Sequence, residues 1–474
     1  MCDVQGDAVM PVEECRSTRK RETTCMKCSA PAVVIARVKD SFCRNCFLAY
    51  VTHRFKATIG KARLIRDKEK VLLAFSGGQN SSAVAHLVKE GRSESQHKKF
   101  RFVPSLVYID DGVVIGQTPA ERSAVRTTIS GLMKSYGFPA CVIPLEKVLD
   151  LKPAREPISI AGGTEDGVVD DIAMVTDGVE QMNIDESASR RLLEILDSAK
   201  SLTAKEDLVR TLRLRLLAHV ARQKGLTKIM LADNGTHLAS RVLAGMAQGR
   251  GVTVPLEVGF ADDRESDGVF VRPLREFPSR EVAMYNHFSG VESVCVPTLT
   301  TKAGQYASIN ALTDDFINGL QVSFPSTVST VFRTGEKLCS VAPSGGETDC
   351  VMCKAPLDTA VPSCSALEST RHSLSLRGSS EGSLPSNSLC GKGADGQPST
   401  ECCGQGDGSC HGNAKTISES ELSQWLCYGC RITVREMKDV SLLPDYVISE
   451  AGRRQRRSQM KEEIQEFLLT DDDR

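Results

Sequence analysis

Ser76-Gly77-Gly78, followed by Asn80, Ser81 and Ser82, is a run of small polar residues set between an apolar stretch and an apolar-periodic one. Such residues at a strand-to-helix junction can cradle a phosphate. Backbone N–H groups converge at a helix N-terminus, where the helix dipole also favours negative charge. Two glycines can take positive φ and let an anion approach the backbone, and three serines add hydroxyl donors. The order is neither Gly-x-x-x-x-Gly-Lys nor Gly-x-Gly-x-x-Gly, and an ordinary strand-to-helix connection shares its composition. Asp110-Asp111-Gly112 ends a second apolar run. Either carboxylate there suits a ribose or a magnesium ion, or an ordinary solvated turn.

The chain has 18 cysteines among 474 residues. Met1-Cys2-Asp3 lacks the basic and apolar regions of an export signal, so paired cysteines point to metal before disulfides. Cys25-x-x-Cys28 and Cys43-x-x-Cys46 are separated by 14 residues. They can place four thiolates around one zinc ion at about 2.3 Å. Cys350-x-x-Cys353 and Cys427-x-x-Cys430 can form a second site, because closing the long loop between them costs free energy only logarithmically in its length. Cys402, Cys403 and Cys410 compete as ligands, and an iron–sulfur cluster fits the same spacing. The net charge is −1 and 41% of residues are hydrophobic, which neither favours nor excludes nucleic acid. No apolar run reaches the ~18–20 residues of a membrane span.

The elements that would carry these residues alternate. Val71–Phe75 reads as a strand, Ser82–Lys89 as a helix closed by Gly91, and Phe102–Ile109 as a second strand. A helix at about 117–136 and a strand at Ala140–Pro144 follow, the pattern of an α/β domain with a parallel sheet and helices on both faces. His86 sits among apolar helix positions and reads as structural; Cys141 reads as a small buried hydrophobe. Residues 154–186 read as an acidic insertion. Thr203-x-x-Glu206 reads as a capping box opening a long helix with the stripe Leu208, Leu212, Leu216 and Val220. A strand at Lys228–Ala232 leads into Asp233-Asn234-Gly235 and a helix carrying Leu238, Val242 and Met246. The chain thus divides into a flexible 1–24, a cysteine module with a basic helix at 25–70, an α/β domain at 71–345 and a cysteine-rich region at 346–474. That last region contains a Ser/Gly/Pro-rich linker at about 360–420. The basic runs at 52–70 and 453–461 suit phosphates or plain solvation.

Ser-Gly-Gly-x-Asn-Ser resembles the PP-loop, Ser-Gly-Gly-x-Asp-Ser, of ATP pyrophosphatases. With the double Cys-x-x-Cys, Asp110-Asp111-Gly112, Leu231–Gly251, Arg272-Pro273-Leu274 with Glu281, and the cysteine-rich tail, nearly the whole chain resembles the cytoplasmic tRNA 2-thiolation protein 2 family. The resemblance implies a cytoplasmic chain that binds tRNA and pairs with a catalytic sister, cytoplasmic tRNA 2-thiolation protein 1. The complex is implied to activate wobble uridine 34 with ATP and magnesium, held by the sister. It would then insert sulfur carried as a thiocarboxylate on a ubiquitin-related modifier.

That chemistry demands groups this sequence lacks. Asn80 replaces the PP-loop acid. Ala232-Asp233-Asn234-Gly235-Thr236-His237 stands where active relatives have Gly-His-Asn-x-Asp-Asp, and Leu212–Leu217 where the sister has Cys-x-x-Cys. No cysteine lies between 142 and 294. The expectation is a chain with no catalytic residues, a degenerate nucleotide site and two zinc modules. The alternatives are an independently active tRNA-modifying enzyme using Cys141 or a tail cysteine, and a zinc scaffold without a nucleotide role.

Overall fold

Val71, Leu72 and Leu73 alternate between two apolar layers, one on each side of a central sheet, and that alternation organises the molecule. The computed structural model describes residues 24–37, 39–93, 99–151, 173–174, 185–265, 268–301, 303–304, 306–338, 349–358 and 417–464. Residues 1–23 of the segment expected to be flexible, nearly all of the acidic insertion, and most of the 360–420 linker with Cys402, Cys403 and Cys410 lie outside them.

A small antiparallel pair, β1 (Val34–Ala36) and β2 (Asp40–Phe42), precedes helix α1 (Arg44–Ala62). Then come β3 (Lys70–Ala74), α2 (Gln79–Arg92), β4 (Val103–Asp110), α3 (Pro119–Tyr136), β5 (Ala140–Pro144) and the short β6 (Ala173–Met174). Helices α4 (Glu186–Ser198) and α5 (Leu202–Gln223) lead to β7 (Lys228–Met230), α6 (Gly235–Ala247), α7 (Val254–Val258), β8 (Ala261–Asp262) and β9 (Val269–Val271). Helices α8 (Ser279–Ser289), α9 (Ile309–Ser323), α10 (Pro325–Lys337), α11 (Glu419–Ser423), α12 (Tyr428–Arg435) and α13 (Asp445–Ile464) complete the described chain.

The sheet order is β6-β5-β4-β3-β7-β9-β8, parallel except for its two edge strands. The chain moves from β3 outward to β5, then returns to place β7 on the other flank of β3. That reversal leaves a crevice beyond the C-terminal ends of β3, β4 and β7, where open α/β sheets bind ligands. Each cysteine module shares a core with one face of the sheet. Cys25, Val34, Phe42 and Phe47 join Val71, Leu73 and Met133 on one side; Cys350, Cys427 and Cys430 join Leu72, Leu212 and Leu216 on the other.

Three local expectations need correction. Helix α2 begins at Gln79, directly after Gly78, and not at Ser82. The cap of α5 is Ser201, whose hydroxyl accepts from Ala204 N at 3.1 Å. Thr203 and Glu206 instead bind Ile309 N and Asn310 at 3.0 and 2.8 Å, so tertiary contact overrides the local capping box. Met246 is exposed at the end of the α6 stripe.

Candidate functional site

The crevice is a cleft of about 720 Å³ whose floor is the glycine turn. Gly77 has φ +77°, and a Cβ there would fall 2.2 Å from Ile129 Cδ1, so glycine is required twice over. Gly77 O accepts from Val294 N at 2.8 Å, which lays the 293–298 segment along the cleft. Ser81 Oγ accepts from Ser76 N at 3.2 Å and donates to Gly78 O at 3.0 Å; Ser82 Oγ donates to Gly77 O at 3.3 Å. These two hydroxyls shape the turn, and Ser76 is the exposed one. The first α2 bond runs from Ser82 N to Gly78 O at 3.0 Å, so the amides of Gln79, Asn80 and Ser81 precede the helix ladder.

Asn80 is held as a neutral amide. Its Oδ1 accepts from Asn234 Nδ2 at 3.0 Å, while fully buried Asn234 caps α6 by accepting from His237 N at 2.9 Å. Asp110 leaves the candidate set. Its carboxylate is buried, bonded to Arg122 Nε at 3.1 Å and Arg126 Nη1 at 2.9 Å, and accepts from Gly112 N at 3.1 Å. Arg122 continues to Glu146 at 2.6 Å, a buried network that ties β4 to α3. Asp111 does line the cleft, paired with Arg213.

The residues that sequence reasoning missed are arginines. Helix α5 brings Arg210 and Arg213 to the cleft, α6 brings Arg241, and the turn after β9 brings Arg272. Arg241 meets Asp233 at 3.1 and 3.3 Å. Arg272, 1% exposed, meets Asp233 and Asp262 at 3.3 Å each and donates to the carbonyls of Leu256 and Gly259 at 3.2 Å. Arg210 pairs with Glu257 at 2.6 Å. Burial pushes the Asp233 and Glu257 carboxyls up, but the guanidinium groups outweigh it. Asp233 ends well below the usual carboxylate range and Glu257 at about 2. Burial, with Arg241 nearby, holds Arg210 below its ordinary value, and burial does the same to Arg213. The i, i+3 spacing of Arg210 and Arg213 on an otherwise leucine-rich helix was the available signal. Asp111 and Asp233, the carboxylates lining the cleft, are both engaged by guanidinium groups and do not fit a magnesium ion.

Cys141 is buried and its thiol, pushed up by burial, donates to Leu106 O at 3.7 Å. Cys295 is exposed and lies along the cleft, a position the sequence did not flag. His86 bonds Tyr285 Oη at 2.8 Å inside the packing of α2 on α8, a structural role. Of the basic run in α1, Arg54 is spent on Tyr50 and on Glu276 and Glu281 at 3.4 and 3.6 Å. Glu281 also accepts from Arg37 N at 3.0 Å, fastening the first cysteine module to α8. In the second run, Arg454 is buried against Glu450 at 2.9 Å.

Both cysteine quartets assemble. Cys25, Cys28, Cys43 and Cys46, and Cys350, Cys353, Cys427 and Cys430, each bring their sulfurs within 4.8 Å of one another. The two modules match bond for bond. Cys25 N donates to Ala30 O and Cys350 N to Ala355 O, both at 2.7 Å. Ser29 and Lys354 both take the left-handed conformation, at φ 58° and 57°. Thr24 bridges Pro31 as Asp349 bridges Pro356. Cys43 and Cys427 each cap a helix, α1 and α12. The shared Cys-x-x-Cys-x-Ala-Pro is thus an internal repeat of which the sequence reading took only the cysteine pairs.

The profile of the family described as cytoplasmic tRNA 2-thiolation protein 2 matches residues 308–432. Cytoplasmic tRNA 2-thiolation protein 2 of Danio rerio is 39% identical over 482 residues, covering 94% of both chains. The Homo sapiens protein of that name is 35% identical over 512 residues, covering all of this chain and 99% of its own. Among solved structures, the U34-tRNA thiolase NcsA from Methanococcus maripaludis, which has a [4Fe-4S] cluster, is loosely similar. It shows a TM-score of 0.46 and 14% identity over 68% of this chain and 92% of its own.

Proposed function

Because the chain belongs to the cytoplasmic tRNA 2-thiolation protein 2 family, we propose that it is the non-catalytic subunit of a complex that 2-thiolates wobble uridine 34. It would work in the cytoplasm, pairing with cytoplasmic tRNA 2-thiolation protein 1, which performs the ATP-dependent sulfur transfer. This chain contributes tRNA contact and a docking scaffold, and the sulfur arrives as the thiocarboxylate of a ubiquitin-related modifier. The observation that supports this reading is the cleft. A glycine turn survives, but its acid is a neutral amide and its remaining carboxylates are bound to arginines. Uridine activation needs charge stabilisation around ATP and a competent metal or thiol; the cleft keeps the phosphate cradle and one exposed thiol, Cys295, but its carboxylates, Asp111 and Asp233, are both tied to arginines.

The cysteine quartets suit zinc. A ZnS₄ tetrahedron with bonds of about 2.3 Å has edges of about 3.8 Å, and the Cys28–Cys43, Cys28–Cys46 and Cys353–Cys427 sulfurs stand 3.5 Å apart. A four-iron cluster binds each thiolate to a different iron and holds the sulfurs further apart. Zinc would supply cross-linking between chain segments distant in sequence, with no redox chemistry.

The test is reconstitution. The isolated chain releases no pyrophosphate from ATP in the presence of tRNA, whereas the two subunits with the sulfur carrier produce 2-thiouridine, read by mass spectrometry of tRNA nucleosides. Cys295→Ser in this chain leaves that yield unchanged. Steady pyrophosphate release by this chain alone, or loss of product with Cys295→Ser, defeats the non-catalytic reading.

A further inference from the structure

Zinc held by four thiolates is a dianion, and a dianion taken out of water is strongly disfavoured unless it meets a cation. The two quartets meet that demand differently. The first keeps Cys28 exposed, so solvent offsets its charge, whereas the second buries Cys350, Cys427 and Cys430. The second module's closing knuckle reads Cys427-Tyr428-Gly429-Cys430, against Cys43-Arg44-Asn45-Cys46 in the first. Asn45 is exposed, and Arg44 donates to Phe288 O at 2.6 Å. Gly429 instead lies flat against Arg250, in the turn between α6 and α7. A Cβ on Gly429 would fall 2.7 Å from Arg250 Cγ and 3.0 Å from its Nε. The approach is reciprocal: Gly249 has φ +69°, and a Cβ on it would collide with the Tyr428 ring.

The Arg250 side chain is only 13% exposed and is held by several partners. Its Nη2 donates to Asp207 Oδ2 at 2.9 Å and to Thr433 Oγ1 at 3.1 Å, and its Nε donates to Gln248 Oε1 at 3.1 Å. Arg250 lines one small cavity together with Cys353, Cys427 and Gly429, and Cys427 and Cys430 both lie within the field of its guanidinium. Arg431, beside Cys430, spends its Nε on Ser423 O at 2.6 Å. We propose that Arg250 is the counter-ion of the second metal centre. Its guanidinium offsets part of the dianion's charge across Gly429, and Asp207 and Thr433 hold it in place. Arginine suits a buried ion pair because its charge cannot be lost and its fork can serve several partners at once. This rests on the reading of the quartets as zinc centres, and it makes two modules of matching backbone differ in what holds their metal.

The experiment sets zinc-loaded full-length protein against a graded chelator and counts bound zinc by elemental analysis. Cys28→Ser, which disables the first quartet, identifies the step that belongs to the second. Arg250→Gln weakens the second site by about tenfold or more, the usual effect of losing an outer-shell partner, and leaves the first site unchanged. Arg250→Lys, which keeps the charge, recovers most of that loss. Arg250→Gln also strands Asp207, so the double variant with Asp207→Asn separates the two roles. The zinc loss persists there because the cation serves the metal; an arginine that served only its ion pair would no longer be missed. Gly429→Asn gives the second knuckle the residue of the first, displaces Arg250 without removing a charge, and weakens the second site even if Arg250→Gln does not fold. Unchanged affinity in Arg250→Gln or Gly429→Asn, full recovery in the double variant, or equal weakening of both sites overturns the proposal. Wild-type protein that takes zinc at the first quartet alone sinks the zinc reading of the second quartet and the counter-ion with it. Two zinc ions bound, with no effect of Arg250→Gln, sink the counter-ion alone.

Discussion

Arg272 is the largest fully buried side chain among the described residues, and replacing it with methionine isolates what the charge mesh contributes. Methionine fills most of the volume but removes contacts to Asp233, Asp262 and the carbonyls of Leu256 and Gly259. Breaking a buried ion pair from one side typically costs about 3–5 kcal/mol. Here each carboxylate keeps another partner, Asp233 through Arg241 and Asp262 through Arg264 at 2.7 Å. The expected cost at pH 7 is therefore at the lower end, about 3 kcal/mol. The pH dependence has a definite sign. Burial pushes the carboxyls of Asp233 and Asp262 up, but their arginine partners prevail and both lie below the ordinary value. Their contribution is fully present above about pH 4 and is lost as pH falls through the depressed folded values. Arg272→Met removes part of that contribution, so wild type and variant must converge below about pH 4. Urea unfolding followed by the single tryptophan, Trp425, reads both quantities. A cost under about 1 kcal/mol at pH 7, or a gap that does not narrow in acid, would refute the account.

Two metal ions per chain are expected by elemental analysis. A chelator should strip the first quartet, where Cys28 is exposed, well before the second, where Cys350, Cys427 and Cys430 are buried; simultaneous loss would contradict the burial difference. Asn80→Asp should create no ATP turnover, because Asp233 stays bound to Arg241 and Arg272; pyrophosphate release from this variant would show that one acid suffices. Gly77→Ala forces a Cβ onto Ile129 at positive φ and should destabilise the protein by roughly 2–3 kcal/mol, visible as a lower urea midpoint.

Much of the α/β domain was legible because its signals are local. The apolar runs of β3 and β5, the glycine turn and the leucine stripe of α5 each follow from the residue order alone, and all stand where expected to within a few residues. What was not legible depends on long-range packing. Asp110 looked like a ligand because it ends a strand, but Arg122 and Arg126 sit on a different element, α3, and capture it. Thr203 and Glu206 satisfied a capping pattern locally and were recruited by the start of α9. The arginine cluster comes from three elements, α5, α6 and the turn after β9, and no single window of sequence displays it. The repeat of the cysteine modules was readable in Cys-x-x-Cys-x-Ala-Pro, but its meaning required the matching hydrogen bonds.

The shared core between α5 and the second cysteine module sets an order of assembly. Leu208, Leu212 and Leu216 share one core with Leu422, Leu426, Val434 and Val447, which leave the ribosome on the order of 200 residues later, roughly 10–40 s at ordinary elongation rates. During that interval α5 has its sheet-side partners such as Leu72 and Ile143 but lacks these later ones, and the last two thiolates of the metal clasp do not yet exist. The nascent chain should therefore depend on holding chaperones, and a product truncated before residue 427 should aggregate instead of persisting as a free-standing nucleotide-fold fragment.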